Sequence, residues 1–124
     1  MFDSSRVAVV DDDEALREAL EALLRSAGFR VDLFSSAEEF LGPGRPADAG
    51  CLLLDVRMGG MSGLELQERL LASGSEVPIV FMTAHADANV CARALAAGAV
   101  QVLQKPFDDV ALLEAISRAT GAVE

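Results

Sequence analysis

The chain has 124 residues, which fits one domain, and its 52% hydrophobic and 24% charged content is globular rather than disordered. Ten Lys and Arg against 20 Asp and Glu give a formal net charge of −10, a surface that repels a phosphate backbone and argues against direct contact with nucleic acid. No apolar run approaches the roughly 20 residues of a membrane helix, and the start at Met1 lacks signal-peptide regions, so a cytoplasmic protein with no membrane contact is expected.

Short apolar runs alternate with longer stretches of helical period. Arg6–Val10 reads as a first strand, followed by the acidic cluster Asp11, Asp12, Asp13 and Glu14. Leu16, Leu20, Leu23, Leu24 and Ala27 then recur at helix spacing until Gly28 stops the helix, with Asp13 as its cap. Val31–Phe34 is a second, more polar strand. Ser36 with Glu39 has the pattern of a capping box for a short helix ending near Gly42, and Gly42-Pro43-Gly44-Arg45-Pro46 is loop chemistry. Cys51–Leu54 is the most continuously apolar strand, so it should be central and covered on both faces. Ser62 and Glu65 form a second capping box, opening a helix to Leu70 or Leu71. Pro78–Met82 is a fourth strand, Ala86–Ala97 a helix closed by Gly98, and Val100–Leu103 a fifth strand. Asp108 caps a last helix reaching about Ala119. Cys51 and Cys91 sit in apolar or Ala-rich runs and read as reduced packing residues.

Five βα units imply a doubly wound α/β domain, with a parallel sheet and helices on both faces. Right-handed crossovers leave few topologies, and the flavodoxin-like order 2-1-3-4-5 with five helices suits the chain. In a parallel sheet the residues that follow each strand share one edge, where ligands bind. Asp11 and Asp12 follow the first strand, Asp55 the third, Thr83 the fourth and Lys105 the fifth. Three carboxylates, a hydroxyl and an ammonium therefore converge. Two like charges about 5 Å apart repel by about 1 kcal/mol in water and several-fold more at lower dielectric. Lys105 offsets one charge, and the remainder suits a hard divalent ion with oxygen ligands, Mg²⁺ or Mn²⁺ rather than zinc. A carboxylate so placed can be a nucleophile towards phosphorus.

Val9-Val10-Asp11-Asp12-Asp13, Leu54-Asp55-Val56-Arg57-Met58 with Met61-Ser62-Gly63, Met82-Thr83-Ala84 and Lys105-Pro106-Phe107 resemble the four signature segments of response-regulator receiver domains. The resemblance runs from about Arg6 to the last helix. Thr83-Ala84-His85 and Ala97-Gly98-Ala99 look closest to receivers of nitrogen-fixation-type transcriptional regulators. The resemblance implies a receiver over residues 1–120, with 121–124 a tail or the start of a linker. It also implies that Asp55 accepts a phosphoryl group from a histidine kinase, and that Asp12 directly, Asp11 partly through water and the Arg57 backbone carbonyl hold the metal. Lys105 would pair with one phosphoryl oxygen and the Thr83 hydroxyl would move to another, and a cis Lys105–Pro106 bond would aim the lysine inward. The implied role is a conformational switch controlling transcription through a DNA-binding domain outside this chain. A free-standing phosphoryl shuttle or sink is the alternative.

Two departures stand out. Gly59 replaces the family's usual proline, and the Gly59-Gly60 pair should loosen the loop over the metal and weaken its affinity. Val102 stands where many receivers carry a Tyr or Phe that swings inward, and a valine has little to swing. Val90, Val100, Val102 and Leu103 could form a partner or homodimer face on the fourth helix, fifth strand and fifth helix, although core packing explains most of them. His85, the only histidine, could lie on the site's rim, but reads more readily as an exposed residue at a helix start. A turnover enzyme of the haloacid-dehalogenase type would carry a D-x-D pair, and here Arg57 replaces the second carboxylate, leaving no general acid. A flavin carrier is disfavoured by the absence of Trp and Tyr.

Overall fold

The third apolar run is the centre of the protein. Every residue of the strand that contains it, β3 (Ala49–Asp55), is buried. The computed structural model describes residues 3–43, 49–85 and 87–121. Around β3 lie β1 (Asp3–Val10), β2 (Arg30–Phe34), β4 (Ile79–Thr83) and β5 (Gln101–Gln104), all parallel and in the order β2-β1-β3-β4-β5. The helices are α1 (Glu14–Ser26), α2 (Ala37–Leu41), α3 (Gly63–Ala72), α4 (Ala88–Ala96) and α5 (Asp109–Thr120). The expected five-unit doubly wound sheet is the observed one.

The two-residue period of the strands divides the core into two layers. Val7, Val9, Cys51, Leu53, Val80 and Met82 pack under α1 and α5, against Leu20, Leu24, Leu112 and Ile116. Ala8, Val10, Leu52, Leu54, Ile79 and Phe81 face the other way, against Phe40, Leu66, Leu70 and Ala94 of α2, α3 and α4. Chain direction across the sheet explains the split. The step from β1 to β2 runs one way and the later steps run the other, so crossovers of one hand place their helices on opposite faces. Fully burying a Leu or Phe contributes about 1.5–3 kcal/mol, so this two-sided burial dominates the stability.

Local chemistry sets the helix ends. Asp13 Oδ1 accepts the Leu16 N–H at 3.2 Å, Asp108 Oδ1 accepts the Ala111 N–H at 2.7 Å, and Ser62 and Glu65 form a complete capping box. The other predicted box is only half present. Ser36 Oγ accepts the Glu39 N–H at 2.9 Å, but Glu39 Oε1 reaches one residue further back, to the Ser35 N–H at 2.6 Å. The helix expected from Ala86 begins at Ala88, because the Asp87 side chain takes the cap role by accepting the Val90 N–H at 2.8 Å.

Strand limits shift by one to three residues. β1 starts at Asp3, which pairs with Ala49 across a register irregularity and makes an ion pair with Arg30. β4 gains Thr83 and loses Pro78, whose carbonyl still accepts the Leu52 N–H at 2.8 Å. The loop residues Gly44, Arg45 and Pro46 lie outside the described residues, as do 122–124, while Gly121 ends α5 at φ +74°.

Cys51 and Cys91 are both free, and burial pushes the Cys51 thiol up to about 12, so it packs as an inert apolar group. The four apolar residues suggested for a partner face are buried or half-buried. Leu103 is buried, and Val90, Val100 and Val102 pack against one core layer or the other. The exposed apolar side chains of α4 and α5 are instead Leu95 and Val110, at 49% and 64% exposure. No helix among the described residues is long and apolar enough to cross a membrane.

Candidate functional site

Backbone ladders carry the chemistry-bearing residues to one edge. The Asp11 N–H donates to the Phe34 carbonyl at 3.1 Å, extending the β1–β2 ladder one step past Val10. Asp55 is the last residue of β3, paired in register with Met82. The Lys105 N–H donates to the Thr83 carbonyl at 2.7 Å, extending the β4–β5 ladder. Carboxylate oxygens of Asp11, Asp12 and Asp55 lie within 4.8 Å of one another. Asp11 is fully buried, Asp55 is 5% exposed, and Asp12 faces solvent.

Lys105 contacts two of these three carboxylates. Its Nζ donates to Asp11 Oδ2 at 2.8 Å and lies 3.4 Å from Asp55 Oδ1. The Lys105–Pro106 peptide is cis, as expected. Burial alone would lower the Lys105 pKa, but the hydrogen bond and charge of Asp11, with those of Asp55, outweigh it and raise it. Asp55 shows the opposite balance. Burial first and then the Asp11 charge push its carboxyl up to about 6, against the charge and hydrogen bond of Lys105 and a backbone hydrogen bond from Arg57.

One ammonium among three clustered carboxylates leaves an excess of negative charge in a partly buried, all-oxygen site. That donor set fits a hard divalent cation such as Mg²⁺. An open crevice lined by Leu16, Ala84, Lys105, Pro106 and Phe107 leads to the lysine's side of the site.

Thr83 is buried at the adjoining strand end, and its hydroxyl is bonded to the His85 backbone, accepting the N–H at 3.1 Å and donating to the carbonyl at 3.2 Å. His85 is exposed and precedes the α4 cap at Asp87 rather than starting the helix. The Arg57 side chain is exposed and turns to Asp87, 3.9 Å away, so it contributes no acid group to the cluster.

Three supports escaped the sequence reading. Arg17 Nη1 donates to the Asp11 carbonyl at 2.6 Å, bracing the β1–α1 corner. Gly63 packs so tightly on the end of β3 that a Cβ would sit 2.2 Å from the Asp55 carbonyl oxygen, so only glycine fits there. Glu38 of α2 accepts the Met61 N–H at 2.9 Å, gripping the β3–α3 loop. Gly63 lay within a quoted motif, but Arg17 and Glu38 had no local signal, since their partners are defined only by the fold.

Comparison with known proteins agrees with this geometry. The response regulator receiver domain family matches residues 7–117. The chain is 45% identical over 121 residues to the transcriptional regulatory protein FixJ of Azorhizobium caulinodans, covering 98% of this chain and 57% of that protein. It is 46% identical over 115 residues to the response regulator protein TmoT of Ectopseudomonas mendocina, covering 93% of this chain and 52% of that protein. The chain thus spans little more than half the length of these curated relatives. Among solved structures, response regulator StyR superposes with a TM-score of 0.87 at 53% identity, covering 94% of this chain and 59% of that one. FixJ-N superposes at 0.84 with 37% identity, covering 100% and 98%. Receiver domains are in general non-enzymatic signalling domains that partner with histidine kinases and bind Mg²⁺ at an acidic cluster, and Asp11, Asp12 and Asp55 form such a cluster here. With a family match across nearly the whole of its sheet and helices and an acidic cluster at the expected strand ends, this chain belongs to the response regulator receiver domain family.

Proposed function

We propose that Asp55 is the phosphoacceptor of this receiver and that its occupancy switches the domain between two conformations controlling an output. The observation that carries this reading is the Lys105 ammonium, 2.8 Å from Asp11 and 3.4 Å from Asp55, set in a cluster of carboxylates it only partly neutralises. Asp55 attacks phosphorus, forming an oxygen–phosphorus bond as the bond to the donor histidine breaks. Asp11, Asp12 and Asp55, with the Arg57 carbonyl, would hold Mg²⁺ (Mn²⁺ is also suited), which would neutralise charge on the transferring group. Lys105 then exchanges its Asp55 contact for a phosphoryl oxygen. The Thr83 hydroxyl leaves the His85 backbone to bond another, pulling on the loop before α4.

Self-dephosphorylation is slow turnover of this one bond and not catalysis on foreign substrates, a reading supported by Arg57 standing where a second acid would be needed. Relatives named as transcriptional regulators, of which the chain covers 57% and 60%, support control of transcription through a DNA-binding domain outside it. The net charge of −10 supports a receiver that does not itself touch DNA. We also place the module at residues 1–120, in the cytoplasm, with the α4–β5–α5 face and its exposed Leu95 and Val110 as a homodimer surface.

Incubation with acetyl phosphate and Mg²⁺ tests the central claim by mass spectrometry. Wild type gains one phosphoryl group and Asp55→Asn gains none. A gain that survives in the variant reassigns the acceptor.

A further inference from the structure

The loop between β3 and α3 carries the expected weakness, Gly59-Gly60, yet it is tied down from outside. Gly60 adopts φ +81°, and a Cβ built there would lie 2.8 Å from Glu38 Oε2, so that carboxylate rests directly over the Gly60 backbone. The same oxygen accepts the Met61 N–H at 2.9 Å. This bond favours the ionised acid and holds the Glu38 carboxyl below its usual range.

Glu38 is itself well anchored. Its helix is capped by Ser36, its neighbour Glu39 locks back onto the Ser35 N–H, and Phe40 is buried with its ring edge-on to Phe34, 5.1 Å between centroids. At the far end of the loop, the Gly63 N–H donates to the Val56 carbonyl at 2.9 Å. The residues between these ties include Arg57, whose carbonyl is assigned above to the metal.

Resting on that receiver reading, we infer that Glu38 is a positioning residue for the metal-binding loop. Its carboxylate fixes the Gly59-Gly60-Met61 turn from α2, so that the Arg57 backbone, which hydrogen-bonds Asp55, keeps one conformation. It supplies from a distant element the restraint that a proline at residue 59 would supply from within the chain. Glu38 is not itself a ligand, being engaged with the Met61 amide.

The test compares wild type, Glu38→Ala, Glu38→Gln and Glu38→Ala with Gly59→Pro, by Mg²⁺ calorimetry, by amide exchange at Met61, and by labelling with acetyl phosphate across Mg²⁺ concentrations. Partners that orient metal ligands matter by 10-fold or more, so Glu38→Ala should weaken Mg²⁺ binding by about 10-fold and deprotect the Met61 amide. At saturating Mg²⁺ its labelling rate should return to that of wild type. Glu38→Gln keeps an acceptor oxygen and should hold near wild-type affinity. Gly59→Pro should recover affinity in the Ala background, because a Cβ at residue 59 meets nothing within 4 Å and the ring removes loop freedom.

Unchanged affinity in Glu38→Ala would overturn the inference. So would a Gln variant as weak as the Ala variant, which would assign the effect to bare charge rather than position. Loss of Mg²⁺ binding or labelling in wild type would instead remove the receiver reading on which the inference stands.

Discussion

Neutralising Asp55 should stabilise the metal-free protein even as it abolishes phosphorylation. Asp55 is 5% exposed and shares its pocket with the fully buried Asp11, with Lys105 as the ammonium between them. Burial, then the Asp11 charge, raises its carboxyl from 3.8 to about 6. The folded state therefore binds this proton more tightly than the unfolded chain does. Stability is least affected below pH 3.8, falls as pH rises towards about 6, and carries the full penalty above that. The displacement corresponds to about 3 kcal/mol, which solvent and salt at the open rim reduce to about 1–2 kcal/mol. Asn has nearly the shape of Asp and no charge, so Asp55→Asn should recover this amount at neutral pH.

For a domain of this size the gain is a Tm increase of about 4–8 °C. Thermal unfolding by circular dichroism in EDTA measures it, at neutral pH and again near pH 4, where the gain should shrink to a few tenths of a kcal/mol. Added Mg²⁺ should raise the Tm of wild type more than that of the variant. No stabilisation at neutral pH would refute the charge argument. A gain equally large near pH 4 would refute it too, since packing and not electrostatics would then be responsible.

Lys105→Met should destabilise the metal-free protein by about 3 kcal/mol in urea unfolding, because Asp11 is left buried without its cation, and Mg²⁺ should restore part of the loss. The raised pKa of Lys105 means its contribution persists below its usual 10.5 and fades as pH climbs through the higher folded value, so the two proteins should converge in stability only in strong alkali. Ser62→Ala removes one half of the α3 capping box and should cost about 1 kcal/mol, read from the urea midpoint at unchanged slope. Leu54→Ala opens a cavity in the core layer under α2, α3 and α4 and should cost about 2–5 kcal/mol in the same assay.

The sequence by itself determined the order of strands and helices, the burial of β3 on both faces, and the positions of Asp11, Asp12, Asp55, Thr83 and Lys105 at strand ends. These follow from short-range physics, since hydrophobic period, capping side chains and glycine stops act within a few residues. The same locality explains the errors. Ser36 and Glu39 fitted a capping box, but the sequence did not say that Glu39 would bond Ser35 instead, nor that Asp87 would cap α4 and delay its start to Ala88. Val90, Val100 and Val102 are half-buried against the core, as core packing had explained, while Leu95 and Val110 stay exposed, which the sequence did not single out. Only the tertiary structure decided that Lys105 would span Asp11 and Asp55, that Arg57 would turn away to Asp87, and that Glu38 would cross 23 residues of chain to hold the glycine loop. Such contacts depend on where separate elements pack, and no local pattern encodes the distance between two side chains whose backbones meet only after the sheet has formed.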